Sequence, residues 1–351
     1  MIKIHDLEYL LLRTIRRFKG SVIKSYQKGL ISNEKFFRIL AIFVLSISVL
    51  KVNFGIDDKR PAPPNYFGTV LSAQAPLPTP QPKADPPLAE TPYPKRLSGS
   101  PDLDPILAKA VLVLDASSSA ILYEKDVELK LPPASITKIM TALVSIESFS
   151  LAEEIVVPEV CTQFDGGSKM GLKIGEKISV ENLLYGLLVS SAADSACSLS
   201  LSHGLTREQF VEKMNEKAKA LGMTDTFYSN ASGLDEANGG NVSTARDTLK
   251  LTIEALKNPF FRKVVSTMKI TVNSADNSLI HPLINTNELL GTVKGISGVK
   301  TGFTDKAGGC LVFFYSYEGK EIVGVVLGSS ERGRFEDVKK IIDWVSRVYT
   351  W

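Results

Sequence analysis

Twelve of the chain's 18 prolines fall between Pro61 and Pro101, in runs such as PLPTPQP and ADPPLAETPYP. Proline fixes φ and lacks an amide hydrogen, so such a stretch stays extended and solvated rather than entering a helix or a sheet ladder. It therefore partitions the 351 residues. Residues 1–35 form a basic tail, 36–54 an apolar segment, 55–102 a disordered linker, and 103–351 the part that folds. That last part is roughly 250 residues, enough for one large core.

The tail and the apolar segment read together. Residues 1–38 carry nine Lys and Arg against Asp6, Glu8 and Glu34, although the whole chain is only +3. FFRILAIFVLSISVLKVNF follows, Phe36 to Phe54. At 1.5 Å per residue it spans about 28 Å, enough for a bilayer core if Arg38 and Lys51 snorkel. It predicts an uncleaved transmembrane helix. The excess of positive charge before it puts the N-terminus in the cytoplasm and the domain outside. A cleaved signal, giving a secreted protein, is the rival reading. The nearest small-residue site, Ala73-Gln74-Ala75, lies about 20 residues too far downstream for it.

Composition narrows the chemistry. A charge this close to balance, over a chain 44% hydrophobic and 23% charged, gives no basis for nucleic-acid binding. Cys161, Cys197 and Cys310 have no CxxC spacing, and His5, His203 and His281 are scattered. This argues against a zinc site and a disulfide framework, and leaves the three cysteines as unpaired core residues. It also leaves little for a histidine-based triad, so a base other than histidine is expected.

Within the domain, Ala108–Ala116 (AKAVLVLDA) reads as a buried strand and SAILYEKD as its hairpin partner. Ser135–Ser148, VENLLYGLLV, REQFVEKMNEKAKALG and the final FEDVKKIIDWVSRVY have helical spacing, and Gly222 suits a C-cap. GCLVFFYSYEGKEIVGVVLGS reads as two strands joined at Glu318-Gly319-Lys320. Strands at both ends with helices between predict a mixed α/β domain whose first and last strands share one sheet.

Three short motifs carry chemistry. In Ser135-Ile136-Thr137-Lys138, side chains three apart on a helix share a face, which brings the Lys138 amine to the Ser135 hydroxyl. A lysine held neutral by burial can take the serine proton. Ser-x-x-Lys also begins at Ser21, Ser25, Ser32, Ser48, Ser266 and Ser297. Only Ser135 joins a Pro-Ala lead-in to an apolar helix. In Lys300-Thr301-Gly302, Gly302 allows close backbone approach, Thr301 supplies a hydroxyl and Lys300 attracts a carboxylate, so an exposed strand edge here would bind an extended anionic peptide. Val299 in place of glycine rejects a phosphate-binding loop. SSAADSA, Ser190–Ala196, reads by itself as a tight connection between helices.

In order, the three motifs resemble those of the penicillin-interacting serine enzymes, and above all the D-alanyl-D-alanine carboxypeptidases, the low-molecular-mass penicillin-binding proteins. The resemblance covers about residues 104–351 and extends to GSKMGLKIGEKISVENLLYGLLVSSA, LGMTDTFYSNASGLDE, STARDTLKL and NTNELLGTVKGISGVKTGFTDKAGGC. It implies a β-lactamase/D,D-peptidase-like α/β domain: a central antiparallel sheet flanked by helices, plus a helical subdomain. It implies Ser135 as the acylated nucleophile, Lys138 as its base and Ser191 as a proton relay. Lys300, Thr301 and Gly302 would bind the substrate's carboxylate end, and the backbone amides of Ser135 and Phe303 would form the oxyanion hole. The substrate would be a peptidoglycan stem peptide losing its terminal D-Ala, with β-lactams as acylating inhibitors and no metal or organic cofactor.

Two departures stand out. The second motif's usual Asn is Ala193, followed by Asp194. The sequence also ends just after the last helix, without the β-rich domain and terminal anchor of some relatives, a role the N-terminal segment would take over. Ala193 keeps open a penicillin- or wall-binding module with little turnover. A β-lactamase would use the same nucleophile.

Overall fold

The computed structural model describes residues 93–163, 166–237 and 239–351. The expected basic tail, the membrane span and the linker up to residue 92 lie outside the described residues. Among those described, no helix is long and apolar enough to cross a membrane.

Five strands form the central sheet: β1 (Ala110–Asp115), β2 (Ile121–Lys125), β3 (Ile296–Thr304), β4 (Gly308–Tyr317) and β5 (Lys320–Ser329). Their order is β2-β1-β5-β4-β3, with every neighbouring pair antiparallel. The first and last strands of the domain thus share one sheet, with Val113 opposite Gly324. The turn between β4 and β5 places Glu318 and Gly319 both at positive φ, the backbone that matches strand twist in a two-residue hairpin.

The runs VLVL and CLVFF do not alternate with polar residues because both faces of the sheet are covered. Ala110, Leu112, Val312 and Phe314 belong to one core cluster; Val111, Val113, Leu311 and Phe313 belong to the other. The second cluster is closed by the last helix, α7 (Gly333–Val348), through Phe335, Val338, Ile341, Ile342 and Val345. Burying each such side chain contributes about 1.5–3 kcal/mol. Packing here is tight: a Cβ on Gly324 would lie 2.4 Å from the Phe313 ring.

Over the other face, α1 (Lys138–Ser148) is buried at every position from Lys138 to Ser145. Around it pack α2 (Val180–Leu188), α3 (Ala193–Ser200), α4 (Arg207–Ala220) and α5 (Ala245–Leu256), while α6 (Pro259–Val265) packs on α2, α5 and β3. Gly222 follows α4 at φ +66°, as its reading as a cap requires. Most of SSAADSA is the start of α3 rather than a loop. A two-stranded hairpin, Lys269–Asn273 with Ile280–Ile284, completes this helical side.

Residues 93–102, placed in the linker by composition, run along α7. Leu97 donates its amide to Val348 O at 2.8 Å, and Trp344 Nε1 donates to Pro101 O at 2.9 Å.

The cysteine reading needs correction. Cys161 and Cys197 form a disulfide, and only Cys310 is free among the described residues. The pair is 36 residues apart in sequence. No spacing rule flags such a pair, because the short turn holding Cys161 meets α3 only in the folded domain.

Candidate active site

The Ser-x-x-Lys segment begins as a 3-10 turn, Ala134–Thr137, that leads straight into α1. Ala134 sits at φ +50°, a left-handed conformation that needs support from its surroundings. Two glycines supply it. A Cβ on Gly233 would fall 1.9 Å from Ala134 O, and one on Gly302 would fall 3.0 Å from both Pro133 O and Ser135 N. Only backbone without side chains can close on the turn from both sides.

This clamp puts Lys138 Nζ 2.9 Å from Ser135 Oγ and 2.7 Å from the carbonyl of Ser232. Lys138 is 1% exposed. Burial brings its amine down to about 7, while the Asp194 carboxylate acts in the opposite direction. The Ser229–Leu234 loop is fastened to the same segment: Thr141 Oγ1 donates to Ala231 O, and Asn241, whose Oδ1 accepts the Ser229 and Asn230 amides, donates from Nδ2 to Thr137 Oγ1 in the turn before α1.

Lys300, Thr301 and Gly302 lie on β3, which is an edge strand. The edge placement fits the sequence reading; the exposure does not. Lys300 and Thr301 are buried, and it is the Phe303 side chain that is exposed. Burial, then the nearby Lys138 and Arg334, hold the Lys300 amine well below its ordinary range. Thr301 Oγ1 meets Thr286 Oγ1 at 2.5 Å. Arg334, at the start of α7, donates from Nη1 to Gly302 O at 2.8 Å, and its buried Nε has no partner.

Ser191 follows α2 at φ +60° and is buried. Among the described residues no hydrogen bond joins its hydroxyl to Ser135 or Lys138. Its segment is tied to the third motif by Thr286, whose amide donates to Val189 O at 3.1 Å while its hydroxyl meets Thr301. Ala193 opens α3 and donates its amide to Ser168 O at 2.7 Å. The Asp194 carboxylate accepts the amides of Met170, Gly171 and Leu172 at 3.0, 2.9 and 3.2 Å.

Ser232, Gly233, Thr286 and Arg334 were not singled out by the sequence. The first two carried a usable signal: in SNASG, Asn230 Oδ1 accepts from the amides of Ser232 and Gly233, an Asx-type turn. Arg334 carried none, being one cation among several on an amphipathic helix. Beyond Phe303, a groove of about 1540 Å³ opens between Leu234, Asp235 and Asp305 and runs toward Arg207 and Glu212 on α4.

This arrangement can deprotonate a serine and receive an anionic peptide end, and the chain that builds it is similar to known proteins. The family described as D-alanyl-D-alanine carboxypeptidase, peptidase S11, matches residues 98–331. The D-alanyl-D-alanine carboxypeptidase DacF of Bacillus subtilis is 31% identical over 248 residues, 69% of this chain and 63% of that protein. The D-alanyl-D-alanine carboxypeptidase of Streptomyces sp. strain K15 is 31% identical over 255 residues, 68% of this chain and 87% of that protein. The D-alanyl-D-alanine endopeptidase of Pseudomonas aeruginosa is 31% identical over 261 residues, 74% of this chain and 83% of that protein. The crystal structure of the Streptomyces K15 DD-transpeptidase superposes with a TM-score of 0.66 at 31% identity, over 70% of this chain and 100% of that one.

Proposed function

The chain belongs to the D-alanyl-D-alanine carboxypeptidase family, and from that premise we propose how its own residues perform the reaction. The donor is a peptidoglycan stem peptide ending in D-Ala-D-Ala. Its terminal carboxylate is received by Lys300, Thr301 and Arg334. Neutral Lys138 takes the Ser135 proton as Oγ attacks the carbonyl of the penultimate residue. The backbone amides of Ser135 and Phe303 stabilise the oxyanion. As the intermediate collapses, the C–N bond breaks and the departing D-Ala amine receives the proton by way of Ser191. Water then hydrolyses the ester on Ser135 and regenerates the hydroxyl. The order Lys300 and Phe303 along β3, then Asp305 in the turn after it, sends the donor's upstream residues toward the groove.

The observation carrying this reading is the 2.9 Å contact between Ser135 Oγ and a buried Lys138 amine. The test is incubation with a fluorescent penicillin and, separately, a D-Ala-D-Ala peptide, each followed by mass. A lasting adduct plus released D-Ala is expected, and Ser135→Ala abolishes the adduct while keeping the fold. An adduct without D-Ala release would instead mean a penicillin- or wall-binding module. Rapid penicillin hydrolysis would mean a β-lactamase.

The same proposal places the domain outside the cell, tethered by residues 36–54. Protease added outside intact cells then releases the domain by cutting the proline-rich segment; recovery of a mature protein beginning near Gln74 would replace the anchor with a cleaved signal.

A further inference from the structure

Behind the second motif lies a buried polar pair that the reaction does not use directly. His281, on the Ile280–Ile284 strand, meets Met170 O through Nδ1 at 3.1 Å and Glu176 Oε1 through Nε2 at 2.7 Å. Both residues are buried, His281 at 4% exposure and Glu176 at 6%. A carbonyl oxygen only accepts, so Nδ1 carries a proton, and one more proton closes the bridge between Nε2 and Oε1. Glu176 Oε2 in turn accepts the Lys173 amide at 2.9 Å.

The arch from Met170 to Glu176 is therefore gripped from two sides. The Glu176–His281 pair holds its carbonyl side, and Asp194 takes its amides at Met170, Gly171 and Leu172. Asp194 is 1% exposed and its charge acts on Lys138. A hairpin could dock here with apolar residues at lower desolvation cost, since buried ion pairs rarely outperform well-packed apolar ones. What the polar pair adds is a single orientation for the Met170 carbonyl, hence for the peptide units whose amides hold Asp194.

We propose that His281, bridged to Glu176, is a positioning residue for acylation of Ser135: it fixes the Met170–Leu172 arch and, through it, the Asp194 carboxylate in the first turn of α3, the helix packed on Lys138's α1. This rests on the assignment of Lys138 as the base. The charged groups facing Lys138 are Asp194 from α3 and Lys300 from β3.

The test is acylation of the full chain by a chromogenic penicillin across pH, with Glu176→Gln, His281→Leu and Glu176→Leu beside the wild type. Glu176→Gln keeps the bridge, because its amide N–H donates to Nε2 while Nδ1–H still reaches Met170; it acylates within about twofold of wild type. On the plateau above the acid limb, where Lys138 is neutral in wild type and variants alike, each Leu variant acylates about tenfold more slowly. In each, the acid limb also moves to lower pH, because a loosened Asp194 no longer favours the charged amine. Amide exchange at Met170, Gly171 and Leu172 accelerates in both. Wild-type rates in the Leu variants, or slower rates with the limb unmoved, overturn the proposal; either variant decides the matter if the other does not fold. A wild type that forms no adduct overturns the Ser135 assignment instead, and exchange at the three amides still reads whether His281 holds the arch.

Discussion

Lys138 Nζ lies 2.9 Å from Ser135 Oγ, and the carbonyl of Ser232, 2.7 Å away, takes one of its N–H bonds. A neutral amine held this way keeps its lone pair for the serine proton. With the amine titrating at about 7, the acylation rate should climb through that pH and level off above it. Stability carries the same signature. The unfolded chain binds a proton at Lys138 up to about 10.5 and the folded chain only up to about 7, so wild-type stability rises with pH across that window. Lys138→Met lacks this dependence. Melting temperatures from pH 6 to 10 should show the wild type gaining on the variant as pH rises; parallel curves would refute the buried neutral amine.

Three basic side chains, Lys138, Lys300 and Arg334, crowd the carboxylate end of the site, and burial holds the first two amines below their ordinary range. Arginine keeps its charge under these conditions. Arg334 also has a buried Nε without a partner, which a carboxylate could satisfy. Arg334→Leu should therefore raise KM for free-carboxylate donors by about tenfold to a hundredfold, the worth of a hydrogen bond between charged groups. Donors capped as amides should change much less. Equal losses for both would assign Arg334 to holding Gly302 rather than to recognition.

The Cys161–Cys197 bond ties the turn before the Ser168–Leu172 stretch to α3, whose first turn accepts that stretch's amides. Closing a loop of 36 residues removes chain entropy worth about 4 kcal/mol. Reduction, which leaves three thiols in the domain, or Cys161→Ser with Cys197→Ser, which leaves only Cys310, should lower the unfolding free energy by that order. Such a bond belongs to an oxidising compartment, which is what the proposed placement of the domain outside the cell requires. Three thiols titrated per denaturant-unfolded domain in the absence of reductant, instead of the one of Cys310, would not fit.

Much of this site was legible because its requirements are local. A serine and a lysine three apart at a helix start need only helical geometry, and Lys300-Thr301-Gly302 needs only a strand. What stayed hidden depends on chain closure. Nothing around Ser232 announces that its carbonyl will meet Lys138, nor does anything around Arg334 point to Gly302. The same holds for the sheet. The hairpin at Glu318-Gly319 is readable from its turn, but the pairing of β5 with β1 follows only from strands at both ends needing the same core. Lys300 was expected at an exposed edge because the edge is real; the Ala134–Thr137 turn and α6 pack against β3 and leave the amine buried.

Ala193 remains the departure with the most direct test. It is 1% exposed, and a Cβ built on Gly167 would lie 3.6 Å from its methyl group, so two small residues face each other where the loop meets α3. An asparagine there needs the loop near Gly167 to yield, at about 1–3 kcal/mol of overpacking. In the family pattern the amide contacts the active-site lysine and the substrate backbone, contacts that count most in the transition state. One such hydrogen bond, about 1.4 kcal/mol, is tenfold in rate. Ala193→Asn should therefore acylate faster by about that factor while melting at a lower temperature. A rate at or below wild type with an unchanged melting point would mean that Asp194 and the Met170–Leu172 arch already supply what the amide does elsewhere.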